Sequence, residues 1–350
     1  MGRPGLVLLS TLLVCAACAR GGHRVEVEQK INALMQAYQG DVPGASVLVL
    51  RDGKAVVRKS YGLADLEEQH AATPATNYRL ASVTKQFTAA ATLLLIEEGR
   101  LGLDDRLRQW LPSLPMSNDA ITIRHLLTHT SGLIDYEEVM PANQVTQLRD
   151  RDVLRLQEGQ DRLYFAPGSH YRYSNGGYSL LALIVERISG LSFQQFLRER
   201  IFAPLGMSQT LAYVSGGPAI AHRAYGYSWI GKSWQRTDQS STSAVLGDGG
   251  IYSSIDDLAR WDAALYDDRL LSDASRAAAF TASTTTDDPD VAYGYGWRIT
   301  GESLWHSGET IGFRNVIVRY PMRRLSVIVL SNRDDPEPYR IALAIARLFP

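Results

Sequence analysis

Gly312-Phe-Arg-Asn-Val-Ile-Val-Arg-Tyr320, the turn Pro321-Met-Arg-Arg324 and Leu325-Ser-Val-Ile-Val-Leu-Ser331 read as a β-hairpin near the end of the chain. Short runs rich in β-branched residues on either side of a proline-led turn carry that reading. A second hairpin stands near the beginning: Ala45-Ser-Val-Leu-Val-Leu50, the turn Arg51-Asp-Gly-Lys54, then Ala55-Val-Val-Arg-Lys-Ser60. Asp-Gly between two such runs supplies the backbone that a tight hairpin needs. Between the hairpins, from about Leu101 to Asp290, patches of helical periodicity alternate with Pro- and Gly-rich turns. Trp305-His306 opens the last β section, and Pro338 to Leu348 closes the chain with a helical pattern. Strands at both ends and helices in the middle imply one sheet assembled from the two ends, with a helical region inserted. The cleft between them is the natural place for a site.

The bulk composition sets limits. A hydrophobic share of 45% and a charged share of 21% in 350 residues suit a globular chain with a sizeable core. A formal net charge of −1 shows no footprint for nucleic acid. Arg149-Asp-Arg-Asp-Val-Leu-Arg155 alternates in sign and reads as a solvated helix face. Both cysteines, Cys15 and Cys18, fall in the first segment. Arg3 followed by the apolar stretch Leu6 to Ala17 has the form of a secretory signal, too short for a spanning helix. Ala16-Ala17 before Cys18 is similar to a bacterial lipoprotein cleavage box, which implies lipid on Cys18 as the sole membrane contact. Cys15 stands there in place of the usual leucine, and cutting within the Ala-rich site would instead leave a soluble exported protein. The expected organisation is a signal over residues 1–17, a tether over 18–26 and a single domain over 27–350, exported to the periplasm. Val27 to Tyr38 reads as that domain's first helix, and with no cysteine pair the mature part folds without disulfides.

Ser82-Val83-Thr84-Lys85 sits where a polar turn gives way to an apolar helical run ending near Gly99. Residues three apart share a helix face, so the Ser82 hydroxyl and the Lys85 amine can meet. A serine hydroxyl becomes a good nucleophile when a neighbour takes its proton, which a desolvated lysine can do. Alone this pair is a common coincidence. Downstream lie Tyr173-Ser174-Asn175 and His306-Ser307-Gly308-Glu309, and the ordered trio is not.

With these motifs the chain resembles the serine β-lactamase-related superfamily, in the branch of class C β-lactamases, D-Ala-D-Ala carboxypeptidases and related esterases. The resemblance runs from about residue 27 to 345 and includes Ile121-Thr-Ile-Arg-His-Leu-Leu-Thr-His-Thr-Ser-Gly-Leu133, Gly247-Asp-Gly-Gly250 and Gly294-Tyr-Gly-Trp297. It implies an α+β fold, an antiparallel sheet flanked by helices with an inserted, mostly helical region. It implies that Ser82 is acylated, that Lys85 accepts its proton and that Tyr173 handles the proton passing to the leaving group. Asn175 would bind the substrate amide or carbonyl, with His306-Ser307-Gly308 on the edge strand beside the nucleophile. The backbone N–H groups of Ser82 and Glu309 would form the oxyanion hole. No cofactor and no metal are implied. Whether Lys85 acts neutral, or protonated beside an ionised Tyr173, stays open.

His306 replaces the family's usual lysine. A lysine there is a permanent cation facing a substrate carboxylate, whereas histidine is charged only below about pH 6.5 unless its surroundings intervene. The expected substrates are D-Ala-D-Ala peptides or esters ahead of β-lactams. A class C-type β-lactamase, a penicillin-binding sensor that acylates without turnover, and a peptidase for D-amino-acid amides remain alternatives. His125 and His129, four apart, lack the glutamate of a zinc His-Glu-x-x-His motif and read as structural. Gly247-Asp-Gly-Gly250 reads as a tight turn near the cleft, and the aromatic residues from Tyr225 to Trp234 as core.

Overall fold

The computed structural model describes residues 25–214 and 216–350. The expected signal segment and Cys18 lie outside the described residues, as does all of the expected tether but residues 25 and 26. Those two are helical: α1 spans 25–34 and a 3-10 turn, Gln36–Tyr38, follows, so the helix expected from Val27 to Tyr38 starts and stops earlier.

Eight strands form the main sheet. In chain order they are β1 (Ala45–Arg51), β2 (Lys54–Tyr61), β3 (Thr284–Thr285), β4 (Ala292–Tyr293), β5 (Arg298–Thr300), β6 (Ser303–Thr310), β7 (Phe313–Tyr320) and β8 (Leu325–Ser331). Their spatial order is β3-β4-β5-β6-β7-β8-β1-β2, antiparallel throughout. The join between the chain's two ends is β1 against β8, with Ala45 opposite Ser331 and Arg51 opposite Leu325. The fold is therefore the α+β architecture that the sequence implied.

Period-two alternation decides what each face buries. Val47, Val49, Val316, Val318, Val327 and Val329 meet Ile31 of α1, Met35 just after it, and Ile341 and Ile345 of α6 (Pro338–Ala346). Leu48, Leu50, Ile317, Ile328 and Leu330 face the other way, into the larger core shared with the helical region. A one-residue slip would exchange the two sets, so the packing fixes the register. β2 is an edge strand, and its exposed or half-buried Lys54, Arg58 and Lys59 discourage pairing with another chain.

Four helices of the central region matter for the site: α2 (Lys85–Glu97), α3 (Asp150–Glu158), α4 (Asn175–Ser189) and α5 (Ile255–Ala264). Every residue of α2 from Lys85 to Leu95 is buried, as expected of a helix enclosed on all sides. Three readings are corrected here. The section assigned wholly to helical patches contains β3, and β3, β4 and β5 together extend the sheet beyond Trp305. Asp150, taken as part of a solvated face, is buried and accepts the N–H groups of Leu246 and Gly247 at 2.9 and 3.0 Å. The Tyr225–Trp234 aromatics divide: Tyr227 is buried, but Trp229 is 56% exposed on a separate two-stranded hairpin.

Candidate active site

Ser82 lies in a 3-10 turn, Ala81–Thr84, immediately before α2 rather than within regular helix. In a 3-10 turn residues i and i+3 eclipse, which sets Lys85 over Ser82. Ala81 holds φ at 49°, a left-handed value uncommon for a residue with a side chain. Lys85 is fully buried and its Nζ is surrounded by three oxygens: Ser82 Oγ at 3.1 Å, Asn175 Oδ1 at 2.8 Å and the Asp248 carbonyl at 2.9 Å. Asn175, the first residue of α4, is oriented on its other side, where Nδ2 donates to Glu137 Oε1 at 3.2 Å.

The edge strand sits directly against this turn. A Cβ on Gly308 would stand 2.0 Å from the Leu80 carbonyl oxygen and 3.3 Å from the Ser82 nitrogen, so only glycine permits the approach. β5 pairs with β6 only at Ser303, Leu304 and Trp305, and the rest of that edge runs on past the Ser82 turn. A cleft of about 70 Å³ is lined by Ser82, Asn175 and Glu309 together with Tyr136, Glu137 and Asp248.

Tyr173 lies deeper, with its ring centre 4.8 Å from Lys85 Nζ. Behind it is an aromatic cluster: the His129 ring is 4.3 Å from that of Tyr173, 5.0 Å from Tyr178 and 4.6 Å from Tyr293. His306 belongs to this cluster. It is buried, its Nδ1–H donates to the Ser307 carbonyl at 2.6 Å, and its Nε2 accepts from the Tyr293 hydroxyl at 3.0 Å. Burial pushes its pKa well below the ordinary histidine value, and the Arg298 cation pushes it further. The surroundings do intervene, and they favour the neutral ring.

The structure thus gathers Ser82, Tyr173 and Asn175 around Lys85 Nζ and lays Gly308 and Glu309 alongside; Ser307 is half-buried on the same strand. Sequence reasoning missed Asp248 and Arg298. Asp248 lies in the turn that was read only as a turn: its carbonyl holds Lys85, and its Oδ2 accepts from the Tyr136 hydroxyl at 3.2 Å. Burial pushes its carboxyl up to about 7; Lys85 opposes this, and Asp150 and Glu137 add to it. Asp150 is itself pushed up to about 6 by burial. Arg298 comes from β5, a strand too short to be read, and its guanidinium carbon is 5.6 Å from the Tyr173 ring centre. The His125 and His129 rings each accept a backbone N–H, from Thr122 at 3.2 Å and Ser174 at 3.0 Å.

Comparison with known proteins adds three findings. The profile of the family described as Beta-lactamase matches residues 27–349. "Penicillin-binding protein 4*" of Bacillus subtilis is 34% identical over 318 residues, covering 85% of this chain and 70% of that protein. "Protein flp" of Staphylococcus aureus is 30% identical, and the match takes in 63% of its length. Among solved structures, the octameric penicillin-binding protein homologue from Pyrococcus abyssi superposes with a TM-score of 0.82 at 28% identity, covering 92% of this chain and 76% of its own.

Proposed function

Since the chain belongs to the Beta-lactamase family and is a serine hydrolase of it, we propose that it works through an acyl-enzyme on Ser82, with carboxypeptidase- or esterase-type specificity. The observation that carries the mechanism is the set of three oxygens around Lys85 Nζ. Two of them, Asn175 Oδ1 and the Asp248 carbonyl, can only accept, while the Ser82 hydroxyl can donate or accept. A neutral amine would spend both N–H groups on the fixed acceptors, leaving its lone pair aimed at the Ser82 hydroxyl. That is the arrangement a general base needs.

Ser82 Oγ bonds to the substrate carbonyl carbon as its proton passes to Lys85. The carbonyl oxygen takes up negative charge beside the N–H groups of Ser82 and Glu309. The bond to the leaving group then breaks, and the departing nitrogen or oxygen receives a proton by way of Tyr173. Water hydrolyses the resulting ester on Ser82 and restores the hydroxyl. The neutral His306 presents no cation to a substrate carboxylate, which favours neutral esters over carboxylate-bearing substrates.

Intact-mass spectrometry after incubation with a fluorescent penicillin and with a short-chain nitrophenyl ester tests this. A covalent adduct on Ser82 or steady ester turnover is expected, and Ser82→Ala abolishes both while leaving the far-UV spectrum and Tm unchanged. A penicillin adduct that persists would favour peptidoglycan stem peptides as substrates, and ester turnover without an adduct would favour an esterase. If neither reagent reacts at Ser82, the hydrolytic reading fails.

A further inference from the structure

His129 stands just past the helix Ile123–Leu127 and its cap Thr128, in the left-handed conformation with φ of 59°. Glycine fills such positions with least strain, and asparagine comes next. A histidine kept there against that preference invites the question of what its side chain does. It is fully buried, and it grips one short segment twice. Its carbonyl accepts the Arg172 N–H at 2.9 Å, and its Nδ1 accepts the Ser174 N–H at 3.0 Å. The residue between those two anchors is Tyr173, whose ring lies 4.3 Å from the imidazole at an interplanar angle of 35°. The residues that follow His129 hold the chain just upstream of that segment: Thr130 O accepts Gly168 N–H and Gly132 O accepts Tyr164 N–H, each at 2.8 Å.

We infer that His129 is a positioning residue for the reaction: its neutral imidazole, by accepting the Ser174 N–H and backing the Tyr173 ring, fixes Tyr173 over Lys85 and sets Asn175 at the start of α4. This rests on the reading of Tyr173 as the group that passes the proton to the leaving group. Acceptance at Nδ1 requires an unprotonated Nδ1, and the surroundings keep it so. Burial pushes the imidazole well below its ordinary pKa, and the Arg298 cation acts in the same direction. The proton then sits on Nε2, which finds no acceptor among the described residues. Protonation of Nδ1 would break the Ser174 contact.

His129→Asn and His129→Gly separate this role from a merely structural one. Both residues tolerate a positive φ, so the backbone is spared in each, but only asparagine offers an oxygen where Nδ1 stood. Positional losses of about 1 Å cost on the order of 10²-fold in rate. His129→Asn is expected to retain kcat to within about tenfold, while His129→Gly loses on the order of 10²-fold in kcat with KM within about twofold. Hydrogen–deuterium exchange over 172–175 is read on the same variants: protection persists with asparagine and is lost with glycine. Equal kcat losses in the two variants, a loss confined to KM, or unchanged protection in His129→Gly overturns the proposal. The exchange measurement judges the clamp even if no substrate reacts with Ser82, so a failure of the hydrolytic reading is told apart from a failure of this one.

Discussion

The two walls that meet at Lys85 are built on opposite principles. The wall carrying Asn175, Glu137 and Asp248 is polar and lines an open cleft, and an amide oxygen and a backbone carbonyl from it hold Lys85 Nζ. The wall carrying Tyr173, His129, Tyr293 and His306 is aromatic and packed, and its two histidines are held neutral by burial. The first wall can exchange protons and charge with a substrate. The second holds geometry. A titratable residue type therefore says little about charge until its wall is known: Asp248 carries a pKa near 7 on one side, while His306 has left the neutral range on the other.

The largest effect that can break this contrast comes from Tyr173, the one member of the aromatic wall assigned to chemistry. Tyr173→Phe keeps the ring against His129 and removes only the hydroxyl. It is expected to lower kcat by about 10²–10⁴-fold with little change in KM, read by pre-steady-state acylation. A change confined to KM would return Tyr173 to a packing or binding role. The next effect is on stability. A carboxyl whose folded pKa is raised favours the folded state only while protonated, so its contribution is full below about pH 4 and is lost as pH rises through about 7. Asp248→Asn keeps an oxygen for the Tyr136 hydroxyl and cannot ionise. It should stabilise the protein by on the order of 1–2 kcal/mol at pH 8 and by much less at pH 4, measured by denaturant unfolding. A pH-independent difference would place the Asp248 carboxylate in contact with water. The smallest effect is an expected null. The ratio of kcat/KM for a carboxylate-bearing substrate to that for a neutral ester should stay flat from about pH 6 to 8, because His306 does not titrate there. A limb near pH 6.5 in the carboxylate series alone would mean that His306 opens to the substrate.

Both hairpins were legible because each strand is long enough for composition and alternation to speak, and β1, β2, β7 and β8 fall within a residue or so of where the runs place them. Ser82, Lys85, Tyr173 and Asn175 were legible as a motif set, since side chains that must meet in space recur in a fixed order along the chain. What escaped was set by tertiary contact. β3, β4 and β5 have two or three residues each, and each is held as a strand by the next one in the row leading to β6. Asp150 looks like any acidic residue in a charged helix until the N–H groups of Leu246 and Gly247 are seen converging on it. The neutrality of His306 comes first from its burial and then from Arg298, and no local pattern shows either. The 3-10 turn at Ser82 was hidden because a helix and a 3-10 turn both bring positions three apart together.

The pairing of β1 with β8 also sets an order of events during synthesis. Ala45 waits for Ser331, so the middle of the sheet cannot close until the chain has been made through Ser331. Until then β1 and β2 form an isolated hairpin, which water barely supports. The β1–β8 pairing is the long one in sequence, and closing so long a loop slows folding. Ser82 and Gly308 come together only after both strands bordering the gap are made, so no truncated product ending before Leu325 presents a finished cleft.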